Sequence, residues 1–152
     1  KLGQHYIFNM KSILLIHGPN LNMLGKRDKN HYGDLTLESL ETLVTDEASK
    51  HDIEVDSFQS NHEGILIDFL QEKSEHAQGI IINPGALTHY SYALHDALAD
   101  TGIPCVEVHL SNVENREEWR KVSVTAPACI AKISGKKENG YIEALELLIQ
   151  KI

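Results

Sequence analysis

The stretch SILLIH at residues 12–17, followed at once by GPN at 18–20, decides the fold class. Its branched apolar interior is typical of a strand that is buried on both faces, and Gly-Pro-Asn ends such a strand. A second run of the same kind, GIIIN at 79–83, is followed by Pro84 and Gly85. Strands buried on both faces indicate a parallel sheet with helices on either side.

Helical and extended segments alternate along the rest of the chain. Further strands are predicted at residues 53–59, 105–110 and 129–133, and a helical turn at 116–121. Four helices are predicted: one from a Thr36 cap to about residue 51, one from an Asn61 cap, one from Ser91 to Gly102, and one over 141–152. The inner face of the second is expected to carry Ile65, Leu66, Phe69 and Leu70, and that of the third Ala93, Leu94, Ala97 and Leu98.

This order of elements predicts an α/β fold of the flavodoxin-like kind. Five strands joined by right-handed helical crossovers commonly adopt the order 2-1-3-4-5, with helices on both faces and strand two at an edge. No linker or repeat interrupts residues 10–152, so we expect a single domain there. Residues 1–9 differ in character from the rest of the chain, and we expect them to be a remnant of cloning ahead of Met10.

Composition excludes several classes of partner. The 152 residues include 14 Lys and Arg and 22 Asp and Glu, which gives a net charge of -8. A negatively charged chain is unsuited to bind the phosphate backbone of nucleic acid. No apolar run has the length of a membrane span. Cys105 and Cys129 lie in apolar runs typical of buried thiols, so we expect a reducing compartment, the cytoplasm.

Ligands of such sheets bind beyond the carboxyl ends of the strands, where the strand order reverses. That rule selects the segments 17–20, 83–89 and 107–112, which are rich in polar side chains. The sequence contains no GxGxxG, GxxxxGK[ST], GxSxG, HExxH or CxxC motif, which removes the usual support for nucleotide, hydrolase and zinc sites. A metal held by His89 and His109 has no ligand spacing to support it.

Two pairs of side chains, one at the end of the fourth strand and one in a polar loop, suggest acid-base chemistry. Glu107 and His109 lie two residues apart on a strand and therefore share a face, and a carboxylate beside an imidazole fixes its tautomer and favours its protonated form. In the polar loop 25–33, Arg27 next to Tyr32 would lower the pKa of the phenol. The alternatives are a hydrogen-bonded core histidine with a buried ion-pair partner, and a solvated loop tyrosine and arginine.

Other polar residues of the loops suit a polyhydroxylated ligand. Asn20, Asn83, Ser111 and Asn112 are neutral hydrogen-bonding groups, and His89 follows Thr88 in a glycine-containing loop. Arg116 and Arg120 form either a solvated helix face or, in one case, a clamp on a ligand oxygen.

From residue 12 to the C-terminus the sequence resembles the type II 3-dehydroquinate dehydratases. The resemblance lies in GPNLNMLG at 18–25 with Arg27 and Tyr32-Gly33, in NPGALTH at 83–89, and in EVHLSN at 107–112 continuing to Arg120. It implies a cofactor-free and metal-free trans elimination of water from 3-dehydroquinate through an enolate, in aromatic amino acid biosynthesis. It also implies a dodecamer of four trimers.

The resemblance also implies a role for each matching residue. Tyr32 would be the base and Arg27 would hold it as tyrosinate, while His109, oriented by Glu107, would protonate the leaving hydroxyl. Asn20 would stabilise the enolate through a bound water. Substrate-binding roles would fall to the side chains of Asn83, His89 and Arg120, to Ser111 and the Leu110 amide, and to Asp96 of a neighbouring subunit.

Two other classes of function remain open at this point. A non-catalytic flavodoxin-like module that binds a small ligand or a partner protein would explain the fold and the loops, but not the two acid-base pairs. A flavin-binding electron carrier would need aromatic residues flanking the ring, and the chain has a single tryptophan, Trp119.

Overall fold

The structure, a computed structural model, describes residues 10–26 and 34–152. Its five strands form one parallel sheet in the order β2-β1-β3-β4-β5. They are β1 (Lys11–His17), β2 (Ile53–Gln59), β3 (Gly79–Asn83), β4 (Cys105–His109) and β5 (Ala131–Ser134). The predicted flavodoxin-like order is thus confirmed, with β2 at an edge. The expectation for residues 1–9, and the residues Arg27 and Tyr32, lie outside the described residues.

Four helices cover the sheet: α1 (Leu37–Ser49), α2 (Glu63–Lys73), α3 (Tyr92–Thr101) and α4 (Asn139–Ile149). Two of the predicted caps are present. The Thr36 hydroxyl accepts from the Ser39 amide in a capping box, and the Ser91 hydroxyl accepts from the Leu94 amide. Gly102 ends α3 in the left-handed conformation that glycine adopts without steric cost.

The helices form one apolar core on each face of the sheet. On one face, α1 and α4 pack against alternate residues of the central strands, such as Leu15 and Ile81. On the other face, α2 and α3 pack against the intervening residues, such as Ile16 and Ile82. Because side chains alternate along a strand, Cys105, Glu107 and His109 all project toward the α2 and α3 face. The fold therefore decides which helices surround the acid-base pair.

Several local predictions are wrong. The cap residue of α2 is His62, without a side-chain cap, while the Asn61 amide oxygen accepts from the Asn20 backbone N–H, 2.9 Å away. Ile65 is 46% exposed, and Ala93 is also exposed, because the helices turn only Leu66, Phe69 and Leu70, and Leu94, Ala97 and Leu98, toward the sheet.

The elements after β4 also differ from prediction. The predicted turn at 116–121 is a 3-10 turn over Glu118–Lys121. The fifth strand begins at Ala131 rather than at residue 129, because Cys129 closes a 3-10 turn over Ala126–Ala128 through a 2.9 Å bond from its amide to the Ala126 carbonyl. An apolar run alone does not separate a strand from a packed turn.

Both cysteines are free thiols, with the two Sγ atoms 3.4 Å apart. Burial raises the pKa of the Cys105 thiol well above its ordinary value, so this thiol stays protonated. None of the helices within 10–26 and 34–152 combines the length and apolarity that a membrane crossing requires.

Two glycines bring the loops after β1 and β3 together. The Gly18 amide donates to the Asn83 carbonyl over 2.7 Å, and a Cβ at Gly18 would overlap the carbonyl group of Pro84. Gly85 has a φ of +61°, and a Cβ there would lie 2.8 Å from the Pro19 carbonyl oxygen. Only backbones without side chains can approach this closely. The carboxyl edge of β1 and β3 is therefore built around this contact.

We expect Gly18→Ala to lower the free energy of unfolding by about 1–3 kcal/mol, because the added methyl overlaps rigid backbone and forces the two loops apart. Chemical denaturation measures the change. Gly64→Ala is the matched control: nothing lies within 4 Å of a Cβ there, in an exposed helical position. It should leave stability unchanged or raise it by up to about 1 kcal/mol. Equal stability of both variants would contradict the close contact.

Candidate active site

A pocket opens at the carboxyl edge of β1, β3 and β4, where the strand order reverses. Its wall contains eight of the residues singled out from the sequence: Asn20, Asn83, His89, His109, Leu110, Ser111, Arg116 and Arg120. The remaining lining residues are Pro19, Leu21, Gly85, Ala86 and Val113. Three loops that are distant in sequence thus meet at one site, as the rule for parallel sheets requires.

The predicted pair on β4 is formed. The Nε2 atom of His109 lies 3.0 Å from Oε2 of Glu107, which is fully buried behind it. Since a carboxylate only accepts, Nε2 carries a proton and donates it to Glu107. His109 lines the pocket and is 8% exposed, which leaves Nδ1 as the ring nitrogen for a ligand.

The charge of Glu107 follows from its surroundings. Burial alone would raise its pKa, because a low-dielectric interior disfavours the charged form. The hydrogen bond and charge of His109, together with the hydroxyls of Thr125 and Ser123, outweigh burial and place the pKa below its ordinary value. At neutral pH Glu107 is therefore an anion, and it accepts the hydrogen bond from His109.

His89 is held as a neutral acceptor. Its Nδ1 donates to the Val122 carbonyl over 2.7 Å, and its ring meets Trp119 edge-on, with centroids 5.1 Å apart. Burial lowers the pKa of His89, and the nearby charges of His109 and Arg120 lower it further, against the opposing effect of the Val122 carbonyl. A neutral ring with Nδ1–H leaves Nε2 to accept a hydrogen bond from a ligand hydroxyl.

The two asparagines are positioned by backbone contacts. Asn20 adopts a left-handed conformation with φ of 71°, which asparagine tolerates better than most residues, and Asn61 anchors its amide. Asn83 is buried, its side-chain oxygen accepts from the Gly85 amide over 3.0 Å, and its carbonyl accepts from Gly18. Its side-chain NH₂ group carries two hydrogens: one faces the Tyr141 hydroxyl, and the other is available to a ligand.

Two arginines supply positive charge to the pocket. Arg120 donates from Nε to Glu117 over 2.6 Å and lies 4.0 Å above the Trp119 ring, so its guanidinium is fixed in place. Arg116 reaches Ser111 Oγ from one guanidinium nitrogen at 3.5 Å. Of the two alternatives left open by the sequence, a solvated helix face does not describe these side chains, which lie in the pocket wall and are 14% and 20% exposed.

Some predicted residues lie elsewhere. The Asp96 side chain is 78% exposed on α3, pairs with His95 at 3.1 Å, and is not in the pocket wall. Asn112 instead caps the turn over Val113–Asn115 by accepting from the Glu114 amide. In the part of the chain that the structure describes, no three His, Cys, Asp or Glu residues are grouped to hold a metal ion.

Sequence reasoning missed the groups that surround Glu107. The hydroxyls of Thr88, Ser123 and Thr125 all lie within hydrogen-bond distance of its carboxylate. The only local signal was the position of Thr88 beside His89. Ser123 and Thr125 lie in a segment without a motif, and only folding brings them to β4.

A flavodoxin-like sheet with an imidazole–carboxylate pair and two arginines at the carboxyl edge of its strands defines an α/β protein equipped for acid-base chemistry on a polar ligand. The family model of dehydroquinase class II matches residues 11–149. The chain therefore belongs to the class II dehydroquinase family.

Individual relatives agree with this assignment. The chain is 52% identical over 143 residues to a 3-dehydroquinate dehydratase of Bacillus mycoides, which covers 94% of this chain and 98% of the relative. It is 51% identical over 140 residues to that of Thermotoga petrophila, covering 92% and 96% of the two chains. The crystal structure of a type II dehydroquinase from Butyrivibrio crossotus superposes with a TM-score of 0.89 at 50% identity, covering 91% of this chain and 97% of that one.

Proposed function

We propose that this protein is a 3-dehydroquinate dehydratase of type II, a hydro-lyase that converts 3-dehydroquinate to 3-dehydroshikimate in the shikimate pathway of aromatic amino acid biosynthesis. The observation that carries the proposal is the buried Glu107–His109 pair at the wall of a polar pocket in a class II dehydroquinase fold. A binding module would gain nothing from an imidazole held this way.

The reaction removes a proton and a hydroxyl group from neighbouring carbons on opposite faces of the ring. Tyr32, held as tyrosinate by Arg27, takes the proton next to the ketone, and the electron pair moves into an enolate. When the enolate collapses, the bond from C1 to its hydroxyl breaks. His109 gives that hydroxyl a proton from Nδ1, so water leaves and the conjugated enone remains. Glu107 accepts from Nε2 and keeps the ring aimed.

The role proposed for Asn20 is to stabilise the enolate. It lines the pocket, and its backbone is fixed by the bond from its amide to Asn61. A bound water polarised by the Asn20 amide group would stabilise the negative oxygen as it develops, which lowers the barrier rather than tightening substrate binding.

The remaining groups hold the substrate. The Asn83 side-chain NH₂ donates to a ring hydroxyl, while His89, kept neutral, accepts from another. Arg120 also binds the hydroxyls, and the Leu110 and Ser111 amides with the Ser111 hydroxyl take the carboxylate. The chain has a net charge of -8, yet the substrate is an anion, so the attraction must be local. Arg120 and Arg116 in the pocket wall supply it.

Residues 10–152 act as one catalytic domain in an assembly of twelve chains built from trimers, in the cytoplasm, and no cofactor or metal takes part. Asp96 is exposed and outside its own pocket wall, so the substrate contact proposed for it would be made in the pocket of a neighbouring copy. Light scattering tests the state; a mass of one chain, 17.0 kDa, would contradict it.

Purified protein should form the conjugated enone from 3-dehydroquinate, with the rate unchanged after exhaustive treatment with a metal chelator. Side chains and backbone amides perform every step of the proposed reaction, so removing metal ions should not change the rate. The rise in enone absorbance measures turnover. Thermal stabilisation by the substrate without any absorbance change across neutral pH would instead identify a non-catalytic binding module.

A further inference from the structure

The buried carboxylate of Glu107 is enclosed by three hydroxyls that the proposed reaction steps do not use. Thr125 donates to Oε1, while Ser123 and Thr88 donate to Oε2 over 2.8 and 3.1 Å. We propose that these three residues, the hydroxyl cage, are positioning residues of the reaction: they keep Glu107 ionised and oriented so that His109 delivers its proton from Nδ1. This inference rests on the proposed function.

The cage is built from two separate segments that meet over β4. Thr88 belongs to the 3-10 turn Gly85–His89 after β3, whereas Ser123 and Thr125 follow the turn that carries Arg120. The Val124 amide donates to the Thr88 carbonyl over 2.7 Å and ties the segments together. Thr88 and Thr125 are buried, so their hydroxyls lie in place before a ligand binds.

The hydrogen-bond directions favour an ionised carboxylate. Ser123 Oγ accepts from the Ala126 amide over 2.9 Å, which leaves the hydroxyl proton for Glu107. Thr88 Oγ1 also lies 2.7 Å from Ser123 Oγ and 3.0 Å from Thr125 Oγ1. A hydroxyl has one proton, so while all three donate to Glu107 they form no hydrogen bonds to one another. Donors aimed at a carboxylate stabilise its charged form and compensate for burial.

Three other titratable side chains interact with Glu107. His109 follows it on β4, Cys105 precedes it on the same face, and His89 lies on the turn that carries Thr88. Cys105 is in contact with Cys129, and burial raises the pKa of the Cys105 thiol. His89 is kept neutral by burial. Glu107 is therefore the group of this cluster that carries negative charge, and the cage donates to it.

The charge of Glu107 decides what kind of acid His109 is. An ionised Glu107 accepts from Nε2, so a cationic ring can lose the Nδ1 proton to the leaving hydroxyl. A protonated Glu107 would donate its own proton to Nε2 and leave a neutral imidazole, which is a far weaker acid at Nδ1. The cage works against this second state by stabilising the carboxylate.

The test compares Thr125→Val and Ser123→Ala with the wild-type enzyme in the dehydration assay. Each variant should lose about tenfold in kcat, the scale of one hydrogen bond to a charged group. KM should stay within about twofold, because the cage lies behind His109 and not in the pocket wall.

Thr125→Ser separates the hydroxyl from the shape of the side chain, and it should restore kcat to near the wild-type value. Ser123 is partly exposed, so Ser123→Ala should fold even if Thr125→Val does not, and it then provides the test by itself. Wild-type kcat in Ser123→Ala, or a loss of activity carried by KM rather than by kcat, would overturn the role of the cage. A wild-type protein without turnover would overturn the proposed function instead.

Discussion

His109→Ala should lower kcat by at least about a hundredfold, the usual scale of a general acid. The variant keeps the rest of the pocket wall but has no group to protonate the leaving hydroxyl, so hydroxide must depart unassisted. KM should change much less than kcat, because the missing contact matters most as the carbon–oxygen bond breaks. Steady-state kinetics on the enone absorbance measures both constants.

His76→Ala is the matched control for the loss of an imidazole. His76 is exposed in the turn Ser74–His76 before β3, at the opposite edge of the sheet from the pocket, and its variant should keep full turnover. Added imidazole should partly restore His109→Ala, since the cavity left by the ring faces the pocket. Turnover of His109→Ala near that of the wild type would remove His109 from its role.

Tyr32→Phe should also lower kcat by at least about a hundredfold. The substitution removes one oxygen and keeps the ring, so the loss isolates the base that takes the proton next to the ketone. The pH profile of the residual activity should lack the ionisation that Tyr32 contributes in the wild type. Arg27→Gln should weaken the same ionisation, because a cation nearby favours the phenolate.

Tyr92→Phe is the control for the loss of a phenol. Its side chain is 70% exposed at the start of α3, outside the pocket wall, and the variant should turn over like the wild type. Full activity in Tyr32→Phe would transfer the role of the base to another residue. The assignments of Tyr32 and His109 stand independently, so either can fail alone.

Local sequence patterns were enough where one element decides its own structure. The apolar run at 12–17 predicted β1, and the Thr36 and Ser91 caps predicted the starts of two helices, because capping depends on a few neighbouring residues. The alternation of a strand likewise placed Glu107 and His109 on one face.

Predictions failed where a distant contact decides the outcome. Asn61 is a good helix cap by residue type, yet its side chain binds the Asn20 amide instead, across 41 positions of sequence. The packing of α2 against the sheet left Ile65 in solvent. Cys129 ends a 3-10 turn instead of starting β5, and its thiol contacts Cys105, 24 positions away in the sequence. No window of sequence contains both partners of such contacts.

The sequence by itself determined the parallel sheet, its strand order, the family, and the three loops that meet at the pocket. Those properties follow from hydrophobic periodicity and from motifs, each contained in a short stretch of chain. Tertiary structure alone decided that Arg116 and Arg120 turn inward, that His89 is held as a neutral acceptor, and that Thr88, Ser123 and Thr125 surround Glu107. Charge and hydrogen bonding at a buried group depend on neighbours from several elements, and only the packing of the sheet and its loops brings these together.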